Sequence, residues 1–238
     1  MTRQTEGTLL NGRVRYAQAA EGFRTGLEPV LLAASVPARP GQAVLEAGAG
    51  AGAGTLCLMA RVPGLRATCV ELDPATAALA RSNLAANGFV ATVQEGDVAA
   101  AGALGPVDHV FANPPWHNPA GTLSPRADRA RAKHLVATGL RPWIDGLSAA
   151  LLPAGTLSLA LAAALLVEAA AELARAGFGR VDVFPLWPRA GSAAKLILLQ
   201  ARRGKASTRM LPGLVLHEGD GFTPEADAIL RGGGAIGF

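Results

Sequence analysis

The sequence predicts an α/β fold: a doubly wound, mostly parallel sheet of seven strands, helices on both faces, and an antiparallel hairpin at one edge. Three observations carry this. Short apolar runs alternate with helical stretches of about ten to fifteen residues, the spacing of βαβ units. Half of the 238 residues are hydrophobic but only 5% are aromatic, which suits aliphatic helices packed on a sheet. The last two apolar runs are joined by a turn region without a helix, as in an antiparallel pair.

The elements follow in order. Residues 1 to about 26 are polar, Gly-rich and basic. Leu27, Val30, Leu31 and Ala34 then recur at helical spacing, and Pro37, Pro40 and Gly41 end that helix. Residues 1–36 are expected to form a cap over cofactor and substrate, and 37–203 the core. The core opens with the strand Ala43–Glu46, a glycine-rich turn and the helix Thr55–Arg61. Ala67–Glu71 is the second strand. Asp73 and Pro74 open the helix Ala75–Ala86, which Asn87 and Gly88 close. Val90–Gln94 and Val107–Ala112 are the third and fourth strands. After an irregular basic stretch come a helix around Trp143–Leu152, a turn at Pro153–Gly155, the strand Thr156–Leu161 and the helix Ala163–Ala176. Val181–Phe184 and Lys195–Ala201 complete the seven strands. Residues 204–238, punctuated by Gly and Pro, read as an irregular tail packed on the core.

Composition narrows the function classes. Cys57 and Cys69 lie inside apolar runs, without a CxxC partner or a His at metal spacing, so neither a disulfide framework nor a metal is expected. The N-terminus has no apolar signal-like region. The longest apolar stretch, residues 157–171, is interrupted by Glu168 and is too short to span a bilayer. A soluble, cytoplasmic protein without a membrane partner is expected. The net charge is +4 and the pI about 9.7. The basic residues cluster: Arg3, Arg13, Arg15 and Arg24; Arg126, Arg129, Arg131, Lys133 and His134; Arg202, Arg203, Lys205 and Arg209. One such cluster is ordinary solvated surface. Three of them outside the apolar core favour nucleic acid as partner.

The first strand ends at Glu46 and runs into Gly48, Gly50 and Gly52. Glycines between a strand and a helix let the backbone approach a ligand and present N–H groups at the helix start. Glu46 directly before them would repel a pyrophosphate but suits a cation such as S-adenosylmethionine (AdoMet), with its sulfonium and ammonium. Glu71, with Leu72 beside it, ends the second strand, where a carboxylate can accept both ribose hydroxyls. Asp97, after the third strand, can accept from an adenine amino group, although like Asp73 it also fits a helix N-cap. A nicotinamide dehydrogenase is disfavoured by Glu46 and by GxGxG in place of GxGxxG.

The fourth strand delivers Asn113, Pro114, Pro115 and Trp116. An amino group conjugated to a ring or carbonyl is a poor nucleophile because its lone pair is delocalised. The Asn113 side-chain oxygen and the Pro114 carbonyl can each accept one of its N–H groups and free that lone pair. The two prolines stiffen the turn, and Trp116 offers a flat face for stacking on a planar target. The structural alternative is a Pro-rich turn with a buried Trp.

With these motifs in view, the sequence resembles the bacterial tRNA-modifying branch of the class I AdoMet-dependent amino-methyltransferases, similar to the family that methylates N6 of adenine 37 in a valine tRNA. Phe23, Arg24, Glu28 and the leucines that follow resemble that family's segment over the cofactor and target pocket. Ser124, Pro125, Arg131 and His134 resemble its basic loop. The stretch from Leu211 through His217 and Glu218 to Thr223, Pro224, Glu225 and Ala226 resembles its C-terminal tail. Trp116 stands where the family usually has Tyr, and Glu28 where it more often has Asp. The resemblance implies a Rossmann-like methyltransferase sheet and AdoMet as cofactor. It implies Asn113, Pro114, Pro115 and Trp116 as catalytic residues, with Phe23, Arg24, Glu28, Trp116, Arg131 and His134 against the substrate. The expected acceptor is adenine N6 in tRNA. The alternatives are a release-factor glutamine N5-methyltransferase, which usually carries a helical domain where only about 26 residues precede the first helix here, a guanine-N2 RNA methyltransferase, and a catalytically silent RNA-binding scaffold.

Overall fold

The structure, a computed structural model, describes residues 3–21, 24–115, 139–205 and 207–238. The chain begins with the strands β1 (Gln4–Leu9) and β2 (Val14–Ala19) and the helix α1 (Glu28–Ser35). The next section contains β3 (Ala43–Ala47), α2 (Ala53–Arg61), β4 (Arg66–Glu71), α3 (Pro74–Ala86), β5 (Ala91–Glu95), a 3-10 turn over Val98–Leu104, and β6 (Val107–Ala112). Beyond residue 138 come α4 (Arg141–Ala149), β7 (Leu151–Ala162), α5 (Leu166–Arg175), β8 (Phe178–Arg189) and β9 (Leu196–Arg203). The tail adds β10 (Ser207–Met210), β11 (Leu214–Glu218), β12 (Gly221–Phe222) and α6 (Pro224–Leu230).

The sheet order is β12-β11-β8-β9-β7-β6-β3-β4-β5, with β10 also paired to β8. β3 to β7 run parallel, and the central strands are apolar on both faces because helices cover both. Val44 and Phe111 face the layer of α1 and α2, whereas Leu45, Ala47 and Val110 face α4 and α5. From β3 the chain winds outward through β4 and β5, then returns to the other side through β6 and β7. The winding direction therefore switches between β3 and β6, the place where open α/β sheets bind ligands.

The seven expected strands are present in a doubly wound order, and the antiparallel pair is β8 with β9. Two expectations are corrected. The sheet has ten strands among the described residues, and the antiparallel pair is not its edge. β10 and β11 both pair parallel to β8. They cover an edge that would otherwise present unpaired N–H and C=O groups. With four, five and two residues, β10, β11 and β12 are too short for an apolar period to register in the sequence. The polar, Gly-rich N-terminal segment holds two further strands. β1 and β2 form a hairpin whose turn places Leu10, Asn11 and Gly12 at φ +49°, +52° and +86°. Asn-Gly is the residue pair such turns favour, but exposed β1 shows no apolar alternation.

Several sequence boundaries have visible causes. Asp73 caps α3 by accepting from the Thr76 amide at 2.8 Å. The turn expected at residues 153–155 appears as a register jump, in which β6 advances from Val107 to His109 while β7 advances from Leu151 to Thr156. No helix among the described residues is long and apolar enough to cross a membrane.

Gly213 enters β11 at φ +82°, where a Cβ would lie 2.3 Å from the Pro185 carbonyl oxygen. Gly219 has φ +55°, and a Cβ there would meet nothing among the described residues within 4 Å. Gly219→Ala should therefore cost only the left-handed backbone penalty, about 1–2 kcal/mol, and Gly213→Ala about 2–5 kcal/mol because backbone must also move. Urea unfolding checks this; equal losses would refute the close approach of β11 to β8.

Candidate active site

The strand register brings the expected site residues to one end of the sheet. Ala47 lies opposite Val70 on one side and Ala112 on the other, and Glu71 lies opposite Glu95. Gly48, Leu72, Gly96 and Asn113 therefore leave the sheet side by side at the carboxyl ends of β3, β4, β5 and β6.

The glycine turn is built on positive φ: +66° at Gly48, +58° at Gly50 and +86° at Gly52. Its path is held from β4. The Ala49 amide donates to the Val70 carbonyl at 3.0 Å, and the Gly50 amide donates to Glu71 Oε2 at 2.9 Å. Glu71 Oε1 accepts from the Asp73 amide at 3.0 Å. Glu71 is thus a buried carboxylate already tied to backbone, and its oxygens can each accept further hydrogen bonds. A Cβ at Gly50 would meet no atom of the described residues within 4 Å, so among them the turn has an open side, whereas one at Gly48 would lie 2.9 Å from the Trp143 ring.

Glu46 is buried and turned onto the first turn of α2. Its Oε2 accepts from the Thr55 amide at 2.7 Å and the Thr55 hydroxyl at 2.6 Å, across Gly54, where no side chain would fit. Burial pushes its pKa up to about 7, against the hydrogen bonds from Thr55, and the charge of Glu71 adds to the rise. A carboxyl held near neutrality in an apolar layer gains most from a cation arriving beside it. Cys69 donates its thiol to Thr55 Oγ1, and burial pushes both Cys57 and Cys69 up to about 12, which leaves them inert thiols.

The hairpin belongs to this site, and the residues that dock it were not singled out in the sequence. Asn87 Oδ1 and Nδ2 bond the amide and carbonyl of Arg15, each at 2.8 Å. Asn83, one helical turn earlier, bonds the amide and carbonyl of Ala17 at 2.8 Å, and its Nδ2 also donates to the Ala51 carbonyl in the glycine turn at 2.9 Å. Two amides on one face of α3 stand in for a neighbouring strand. Tyr16, the one tyrosine of the chain, hydrogen-bonds Thr25 Oγ1 at 2.6 Å. Burial pushes the Tyr16 pKa up to about 12, and the nearby charge of Glu46 adds to the rise. Its signal in the sequence was the alternation Val14, Tyr16. Arg13, from the first basic cluster, is used structurally: it donates to the carbonyls of Gly232 and Ala60.

At the acceptor end, Asn113 follows β6. Its Oδ1 is buried without a hydrogen-bond partner among the described residues, and so is Glu28 Oε2 at the start of α1. Leu72 is 58% exposed beside Glu71. Asp97 caps the 3-10 turn, accepting from the Ala99 amide at 2.8 Å. Pro114 is buried, Pro115 half-buried and Arg24 exposed. Phe23, Trp116, Arg131 and His134 lie outside the described residues.

Residues 28–139 match the family described as the methyltransferase small domain. The chain is 37% identical over 142 residues to the release factor glutamine methyltransferase of Deinococcus radiodurans, covering 57% of this chain and 51% of that protein. It is 31% identical over 146 residues to the tRNA1(Val) (adenine(37)-N6)-methyltransferase of Shewanella sp. strain MR-4, covering 59% and 61%. The chain thus spans about half to three fifths of the length of these curated relatives. A crystal structure of a predicted O-methyltransferase from Agrobacterium tumefaciens superposes with a TM-score of 0.70 at 28% identity, over 88% of this chain and 98% of that one.

The raised pKa of Glu46 gives a signed pH dependence. The folded protein retains a proton that the unfolded chain releases between its ordinary 4.5 and about 7, so this group's contribution to stability falls as pH rises through that window. Glu46→Gln should remove the fall. Its urea midpoint should approach or exceed that of the natural protein at pH 8 and gain nothing at pH 5. AdoMet affinity should rise from pH 6 to 8 only with Glu46 present. Parallel profiles for the two proteins would refute the assignment.

Proposed function

We propose that this chain, whose residues 28–139 match the methyltransferase small domain family and whose fold is that of the AdoMet-dependent methyltransferases, is an N-methyltransferase. It uses AdoMet and acts in the cytoplasm on an exocyclic amino group of an RNA base, adenine N6 in tRNA. The observation that carries this reading is Asn113 Oδ1: a buried oxygen without a partner among the described residues, at the switch point of the sheet, next to the glycine turn. A buried acceptor left open is costly, and a donor-only amino group satisfies it.

The residues at the glycine turn fit AdoMet. Among the described residues the turn is open at Gly50, Glu46 favours a cation beside it, and Glu71 and the exposed Leu72 follow at the end of the next strand. When bound, AdoMet supplies an electrophilic methyl group on a sulfonium. Asn113 Oδ1 and the Pro114 carbonyl each take one N–H of the acceptor amine, which draws the nitrogen toward a tetrahedral geometry and directs its lone pair. Pro114 and Pro115 keep these acceptors in place before the substrate arrives. Trp116 is assigned the stacking surface, Glu28 the second buried acceptor, and Phe23, Arg24, Arg131 and His134 the outer contacts. The surplus proton leaves the nitrogen for water once the methyl is attached, so no side chain is needed as general base.

The basic clusters and the likeness to a tRNA adenine methyltransferase support RNA. A second reading, transfer to a glutamine side-chain amide of a protein, is supported by the 37% likeness to a release factor methyltransferase. That nitrogen is conjugated to a carbonyl and carries two N–H groups, so Asn113 would serve it equally.

Tritium transfer from labelled AdoMet to tRNA, rRNA, DNA and a release-factor preparation separates the readings. Label recovered as N6-methyladenosine from tRNA is the expected result; label in protein or in N2-methylguanosine would replace the substrate. Asn113→Ala should lower kcat by two orders of magnitude or more, as loss of one positioned polar group can, while the AdoMet dissociation constant stays within about twofold. Glu71→Ala should weaken AdoMet binding first. Comparable losses of both quantities in Asn113→Ala would overturn its role.

A further inference from the structure

On the sheet face that α1 covers, three guanidinium groups surround one carboxylate. Asp182 in β8 is 2% exposed. Arg209 of β10 holds it with two bonds of 2.6 and 2.8 Å, and Arg180 Nε lies 3.3 Å away. Arg202 of β9 sits beside them, bonded to Gln200 Oε1 and Thr156 Oγ1. Its guanidinium is pulled below its ordinary value by burial and by the nearby charges of Arg180 and Arg209. Arg39 extends the group: its amide donates to Gln42 Oε1 at 2.8 Å, and the same oxygen lies 3.0 Å from His109 Nε2. Lys205 and Arg203 are exposed at the end of β9. One arginine would neutralise Asp182. The additional cations repel one another and face solvent, with Arg180 and Arg209 side chains 41% and 44% exposed.

The register fixes where this strip lies. Arg180 is opposite Arg202 in β9, Arg202 bonds Thr156 of β7, and Thr156 is opposite His109 of β6. His109 precedes Asn113 by four residues, and β8 is three strands from β6. At about 3.3 Å per residue and about 4.8 Å per strand, the strip is about 20 Å from Asn113. A cation cluster at that distance cannot touch the base being modified. An A-form RNA duplex advances by less than the roughly 3.4 Å per base pair of B-DNA, so the strip is at least about six base pairs away. Single-stranded RNA is held on exposed aromatic side chains beside the cations, and the large hydrophobics exposed among the described residues, Leu72, Val90, Leu104, Val167 and Met210, include no aromatic ring.

We propose that Arg39, Arg180, Arg202, Lys205 and Arg209 grip the sugar-phosphate backbone of a duplex arm of the substrate RNA, at least about six base pairs from the acceptor base. The substrate is then a stem-loop or a larger folded RNA, and a short single strand is used poorly. This rests on the RNA reading given above.

The test uses the full chain and the arm of tRNA that takes the tritium label, prepared as a stem-loop with three or nine base pairs. For the natural protein, KM should fall at least tenfold from the short to the long stem. Arg180→Gln/Lys205→Gln should lose most of that fall. Its log KM against log salt on the long stem should be shallower by about one to two, one for each phosphate contact removed. Lys205→Glu alone, at an exposed position, repeats the test without disturbing Asp182, and the AdoMet dissociation constant reports an intact fold. Equal KM for the two stems, or a double variant that keeps the stem dependence and salt slope, would overturn the strip while leaving the RNA reading standing. Label found only in protein, or in no RNA, would overturn both.

Discussion

The hydrogen bond from the Gly50 amide to Glu71 fixes the path of the chain between β3 and α2. Glu71 is buried at the end of β4, and a buried carboxylate needs donors. The amides of Gly50 and Asp73 supply them, one from the glycine turn and one from the entry to α3. To reach Glu71, the turn must run through left-handed conformations at Gly48, Gly50 and Gly52. Glu46 repeats the arrangement one strand over, taking the amide and hydroxyl of Thr55 and so setting where α2 begins. The same two acids that shape the backbone are those expected to meet a cationic nucleoside. On the proposed reading, folding and ligand recognition share one pair of acids.

α3 carries a second constraint. Asn83 and Asn87 lie one helical turn apart, and their amides match the repeat of alternate residues along β2. β2 is therefore paired on one side by β1 and on the other by a helix. Because Asn83 also reaches the Ala51 carbonyl, the hairpin and the glycine turn are braced against the same side chain. Tyr16 then carries the hairpin toward Thr25 and the segment leading to Glu28.

The doubly wound core was legible because its strands are short apolar runs between helices with clear ends, such as Asp73 and Pro74 before α3. The order of Glu46, the glycines, Glu71, Asp97 and Asn113 was legible for the same reason: each stands where a strand stops, and parallel strands bring their ends together. The added strands of the tail were not, since pairing at an edge leaves no period in four or five residues. Asn83 and Asn87 were hidden because an asparagine on a helix usually reads as solvated surface, and their partner is backbone. Trp143 at Gly48 was hidden because the contact joins elements far apart in sequence. Asp97 shows the reverse limit, since its position in the chain suited both a helix cap and a ligand contact, and its capping bond is present.

The docking of the hairpin has a consequence for how such a protein can change over generations. Asn83 and Asn87 hold Arg15 and Ala17 through main-chain groups alone, which every residue except proline offers in full. The grip is indifferent to the side chains it holds. Mutations in the outward-facing residues of β1 and β2 can therefore accumulate without loosening the ledge beside the glycine turn. A lineage built on this frame is free to redraw that ledge while the glycine turn beneath it stays the same.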